Sequence, residues 1–119
     1  MRFCTWCETP KPLDEFRNTS RRSGKMYVCE SCLPEYNRDV WYKHKYGVSL
    51  LFVERLLADQ SNRCASCGDL LESEFHLDHC HNTQAIRGVL CRHCNIALGH
   101  LRDDSRRIVA LLRYLEGRN

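Results

Sequence analysis

Nine cysteines and six histidines carry most of the reactive chemistry of this chain. Eight of the cysteines fall into C-x-x-C pairs, namely Cys4/Cys7, Cys29/Cys32, Cys64/Cys67 and Cys91/Cys94, and Cys80 is left over. Such a pair sets two sulfurs on one tight knuckle, which suits two corners of a zinc tetrahedron, and two knuckles complete it. The spacing predicts two structural zinc sites. One takes Cys4, Cys7, Cys29 and Cys32; the other takes Cys64, Cys67, Cys91 and Cys94. Secreted disulfide frameworks rarely consist of such pairs alone, so the pattern speaks for a reduced, cytoplasmic chain.

A second group of residues lies inside the later quartet. It runs His76-Leu77-Asp78-His79-Cys80-His81, followed by Ile86-Arg87-Gly88-Val89-Leu90 and, directly after the last cysteine of the quartet, Asn95. On a strand ending near His79, residues 76 and 78 share one face while Leu77 enters the core. Zinc would tie Cys64 and Cys67, upstream of this hairpin, to Cys91 and Cys94 just after it. A strand–turn–strand–helix unit held in this way can gather Asp78, His79 and Asn95. One carboxylate and one amide oxygen are hard ligands suited to Mg²⁺ or Mn²⁺. A neighbouring imidazole can take a proton from an attacking water. Arg87, one strand over, is the candidate phosphate clamp.

These residues need a scaffold. At 119 residues the chain amounts to one domain or two very small units. Its 43% hydrophobic content counts the cysteines, so the ordinary apolar core is thin and metal staples are expected. Pro34 opens a predicted helix that runs to about Lys45 and ends at Gly47. Ser49 caps a second helix with Leu50, Val53, Leu56 and Leu57 at helical spacing. Strands are expected over 74–78 and 86–90. A helix is expected from Asn95 to near Asp103, and a last one from Asp103 or Asp104 to Glu116. Ile108, Leu111, Leu112 and Leu115 give that last helix an apolar face, suited to a core or a dimer interface. Residues 18–23 read as an exposed polar loop.

The pattern Asp78-His79-x-His81, with Arg87-Gly88-x-Leu90-Cys91-x-x-Cys94-Asn95, resembles the phage recombination endonuclease VII family of His-Me finger (HNH-like, ββα-metal) nucleases. The likeness covers about residues 46–116, including Tyr46-Gly47, Cys64-Ala-Ser-Cys67-Gly68, Ala97-Leu-Gly99 and Asp103-Asp104. It implies that Asp78 and Asn95 bind the catalytic Mg²⁺ or Mn²⁺ and that His79 is the general base. It further implies that His81 sits near the scissile phosphate and that His76 supports the site. Relatives often carry Asp at the position of Cys80 and Gly in the hairpin turn, where this chain reads Thr83-Gln84-Ala85. A carboxylate three positions after the metal-binding Asn in the best-known member is Leu98 here.

The resulting expectation is a small α+β fold in three parts: an N-terminal Cys4 zinc knuckle over 1–33, a basic and aromatic linker helix over 34–48, and a His-Me finger nuclease domain over 49–119. The expected activity is metal-dependent hydrolysis of DNA phosphodiesters, phage-encoded and serving recombination, debranching or genome processing. The rival class is a non-catalytic zinc-dependent nucleic-acid-binding protein, or an adaptor of a phage packaging or replication machine. DNA is the expected partner, with a homodimer the route to cutting both strands. Net charge does not argue for DNA: the formal +3 falls to about −1 once eight thiolates and two Zn²⁺ are counted. Basic residues do, with Arg21, Arg22 and Lys25 in one group. Arg38, Lys43 and Lys45 form another, interleaved with Trp41, Tyr42 and Tyr46. No apolar run suggests a signal peptide or a membrane span, so no membrane partner is expected.

Overall fold

Short strands and helices of one to four turns are what knuckle-dense sequence allows, because each C-x-x-C commits four residues to a tight turn. The computed structural model describes residues 1–20 and 24–117. Arg21, Arg22 and part of the loop expected over 18–23 lie outside the described residues. The fold is small α+β, and it divides into two units, Met1–Val53 and Glu54–Asn119. Among the described residues, no helix is long and apolar enough to cross a membrane.

In the first unit, β1 (Arg2–Phe3) pairs with β2 (Pro10–Lys11), and the Cys4/Cys7 knuckle is the turn between them. A second hairpin joins β3 (Phe16–Asn18) to β4 (Lys25–Cys29). Its end delivers Cys29, and a 3-10 turn over Glu30–Cys32 leads into α1 (Leu33–Tyr46). Cys4, Phe16, Val28, Cys29 and Leu33 form one buried cluster, flanked by Trp6, Met26, Cys32 and Tyr36. Cys4 and Cys29 are therefore part of the hydrophobic core of this unit and Cys32 packs against it, whereas Cys7 is exposed.

Helix α1 ends where the sequence predicts. Gly47 adopts a left-handed conformation (φ 71°), and its N–H closes the last turn on the Lys43 carbonyl. Helix α2 (Leu50–Asp59) follows, with Ser49 Oγ accepting from the Phe52 N–H at 3.1 Å. A second cap comes from a distance. Asp39 on α1 is buried, accepts the Leu50 N–H at 2.8 Å and pairs with Lys43 at 2.9 Å. The Leu50 N–H, then Lys43, holds the Asp39 carboxyl below the usual carboxylate range.

In the second unit, β5 (His76–His79) pairs antiparallel with β6 (Ile86–Leu90). The first strand begins two residues later than 74–78 because its partner ends at Leu90, which pairs with His76. Helix α3 (Arg92–His100) begins three residues before Asn95. Cys91 is its N-cap, its sulfur accepting the Cys94 N–H, so the last knuckle is itself the first helical turn. Asp104 caps α4 (Ser105–Leu115) by accepting the Arg106 N–H at 2.9 Å. The apolar residues Ile108, Leu111, Leu112 and Leu115 of α4 are exposed.

The hairpin is anchored by one side chain. Gln60 donates to the Val89 carbonyl at 2.9 Å and accepts the Val89 N–H at 2.9 Å, as a neighbouring strand would. It also donates to the Arg63 carbonyl at 2.8 Å. Gly88 lies beside it, and a Cβ there would meet Gln60 Oε1 at 3.2 Å and the Ala65 methyl at 3.3 Å. Close approach, rather than backbone freedom, makes glycine suitable at this position.

Candidate functional site

The β5–β6 ladder is regular from His76↔Leu90 through Asp78↔Gly88, then pairs His79 with Ile86. One step along β5 matches two along β6, so Arg87 is the extra residue of a β-bulge. A bulge re-aims a side chain and tightens the local twist. Arg87 uses that freedom to reach Asp78. Its Nε donates to Asp78 Oδ2 at 2.7 Å and its Nη2 to Oδ1 at 3.0 Å. The other edge of the guanidinium donates to Asp103, from Nη2 at 2.8 Å and from Nη1 at 3.2 Å. The two carboxylates raise the pKa of Arg87, and Arg87 in turn lowers that of Asp103, with smaller contributions from His81 and His79.

His79 and His81 stand at the end of this strand with ring centroids 5.1 Å apart. The turn beyond them needs a left-handed residue, and Gln84 takes it at φ 64°. His76 lies on the face of β5 that carries Asp78. Its Nε2 is buried without a hydrogen-bond partner, the Glu74 carboxylate lying at 3.8 Å. Asn95 is half-buried in α3, one residue past Cys94. A groove of about 330 Å³ beside the histidines is lined by His81, Asn82, Gly99, Arg102 and Asp103.

The cysteine geometry fits zinc. In each quartet the four sulfurs lie within 4.8 Å of one another. The Cys67–Cys91 separation is 3.8 Å, close to the edge of about 3.8 Å that Zn–S bonds of roughly 2.3 Å give a tetrahedron. Backbone N–H groups of Ser66 and Asp69 point at the sulfurs of Cys64 and Cys67. Burial raises the Cys64 thiol, but N–H donors from Cys91, Cys67 and Ser66 outweigh it and bring it to about 6. The Asp69 N–H lowers Cys67, yet desolvation and its crowded neighbours Cys64, Cys94 and Cys91 push it to about 12. Sulfurs this close cannot all ionise unaided, and a divalent cation removes that obstacle.

The donors near Asp78 fit a hard divalent ion as well. Arg87 occupies one acceptor direction on each Asp78 oxygen, and a carboxylate offers roughly four. The other acceptor directions of that carboxylate are chemically suited to a hard cation, and the His76 nitrogen that has no hydrogen-bond partner belongs to the same strand face.

Gln60, Arg102 and Asp103 are contributors that sequence reasoning did not assign to the site. Asp103 was visible only as the start of the last helix. Arg87, the candidate phosphate clamp, engages two carboxylates in the structure. Cys80 sits at the turn, where its N–H donates to the Ala85 carbonyl at 2.8 Å.

A family profile described as recombination endonuclease VII matches residues 39–117. Among solved structures, the ββα-Me type II restriction endonuclease Hpy99I is similar, with a TM-score of 0.44 and 21% identity. The alignment covers 98% of this chain, which spans 65% of that structure's length. No curated protein matches significantly. The profile takes in the whole hairpin, both knuckles of the second quartet and the helices that follow, so the chain belongs to the recombination endonuclease VII family.

Proposed function

We propose that the chain is a Mg²⁺- or Mn²⁺-dependent DNA endonuclease that hydrolyses one phosphodiester bond per catalytic cycle. The observation that carries this reading is the Asp78–Arg87–Asp103 cluster on the hairpin that also bears the His79–His81 pair, next to a quartet of cysteines. Both cysteine quartets hold structural zinc in this reading. Asp78 and Asn95 hold the catalytic ion, which when bound supplies Lewis-acid stabilisation to the phosphoryl group and the departing 3′ oxygen.

The protein's own groups do the rest. His79 accepts the proton of the attacking water, and in-line attack leaves a 5′ phosphate. His81 lies beside the scissile phosphate, and His76 steadies the strand that bears Asp78. Arg102, on the rim of the groove next to His81, is a phosphate contact. Arg87 reaches phosphate only through the one N–H that its carboxylates leave over. Each chain has one such site, so cutting both strands calls for a homodimer or two successive nicks. A phage origin, with a role in recombination, debranching or genome processing and contacts to packaging or replication proteins, fits the family.

Plasmid nicking tests the reading. His79→Ala should lower the metal-dependent rate by about 10²–10⁴ without moving the unfolding temperature. Wild-type rates from both His79→Ala and Asp78→Ala would refute it.

A further inference from the structure

We propose that Asp103 is a positioning residue of the metal centre, holding the outer edge of the Arg87 guanidinium so that Asp78 stays available to a divalent cation. This rests on the reading of Asp78 as a metal ligand. An arginine gripping one carboxylate with two hydrogen bonds makes a neutral pair, which attracts a divalent ion poorly. Here the same guanidinium is shared. Its Nε/Nη2 edge meets Asp78 at 2.7 and 3.0 Å, and its Nη1/Nη2 edge meets Asp103 at 3.2 and 2.8 Å. The trio keeps an excess negative charge on the side where the ion would bind. Sharing also fixes the plane of the guanidinium, and with it the plane of the Asp78 carboxylate, of whose roughly four acceptor directions Arg87 takes two.

Asp103 is well placed to act as a brace. It is, with Arg102 (φ 58°), one of two left-handed residues in the turn between α3 and α4 (its own φ is 56°), and its N–H donates to the Leu98 carbonyl at 3.0 Å. Its side chain is 22% exposed, against 12% for Asp78, so neither carboxylate is freely solvated. Asp and Asn both tolerate left-handed backbone better than most residues. Asp103→Asn therefore removes the charge while preserving the turn.

The experiment is a Mn²⁺ titration of the full-length, zinc-loaded protein followed by electron paramagnetic resonance, with thermal unfolding measured in parallel. Asp103→Asn should weaken Mn²⁺ binding roughly 5-fold or more at low salt, whereas Asp103→Glu should stay within about 2-fold of wild type. The deficit of Asp103→Asn should shrink as salt rises. Unchanged Mn²⁺ affinity in Asp103→Asn overturns the proposal. So does equal weakening by both variants, since shape rather than charge would then be responsible. If Asp78→Ala binds Mn²⁺ like wild type, the metal-ligand reading itself fails, an outcome separate from the failure of Asp103 alone.

Discussion

The two cysteine quartets share a ligand set but differ in what surrounds them. The first is embedded in apolar packing: Cys4 and Cys29 are buried with Phe16, Val28 and Leu33, and Trp6 packs edge-on against Tyr36 at 5.8 Å. The second is surrounded by polar fasteners. Gln60 clamps Val89, the Ala65 N–H donates to the Val89 carbonyl at 3.0 Å, and Arg87 joins Asp78 to Asp103. Apolar packing is non-directional and tolerates small shifts, whereas hydrogen bonds fix direction and register. A knuckle that only has to hold a core can use the first kind of support. Under the proposed function, a knuckle that has to aim a carboxylate and two imidazoles calls for the second.

The largest effects should come from breaking each quartet in turn. Cys64→Ser should release one zinc, melt the β5–β6 finger and abolish nicking, since structural zinc is worth about 10–16 kcal/mol in small fingers. Cys4→Ser should also release one zinc but leave residual nicking. Metal analysis, far-UV circular dichroism and nicking read these outcomes together, and equal losses of activity would erase the distinction between the quartets. A smaller effect is expected at the polar clamp. Gln60→Ala should cost about 2 kcal/mol by leaving the Val89 N–H without its partner, seen as a lower unfolding temperature.

The smallest effect belongs to Asp39, a buried carboxylate of the first unit. Asp39→Asn should cost about 1 kcal/mol at neutral pH. Its folded pKa is depressed, so its contribution is present above the ordinary value near 3.9 and is lost as pH falls through the folded value. Urea midpoints compared between about pH 7 and pH 2 should therefore converge in acid. A gap that persists there would mean that the carboxylate acts through shape alone.

Some of this was legible in the sequence, and the reasons are local. C-x-x-C spacing defines a knuckle within four residues, so both quartets could be paired before any fold was known. Gly47 and Ser49 mark helix ends through their own backbone and side-chain preferences, and both act as expected. The placing of Asp78 and His79 on a strand, with Asn95 on the helix after the last knuckle, follows from their positions relative to the second quartet. What stayed hidden depends on pairs of residues far apart. Gln60 acts on Val89 twenty-nine positions away, and nothing in its neighbourhood announces that. Asp103 sits next to the true cap, Asp104, and read as part of the same helix start. The beginning of α3 was misplaced because a knuckle and a first helical turn use the same four residues, Cys91 to Cys94.

The bulge at Arg87 has a consequence for how this site can vary. It is a feature of chain length rather than of residue type: β6 holds one residue more than β5 requires. Any substitution at 87 keeps the extra residue and changes only what it presents. A deletion there would leave His79 opposite Ile86 in a regular ladder, and would remove the arginine bridge together with the local twist that the bulge imposes. Among homologues, a one-residue gap at this point would therefore mark a rebuilt site, even where every catalytic letter still aligned.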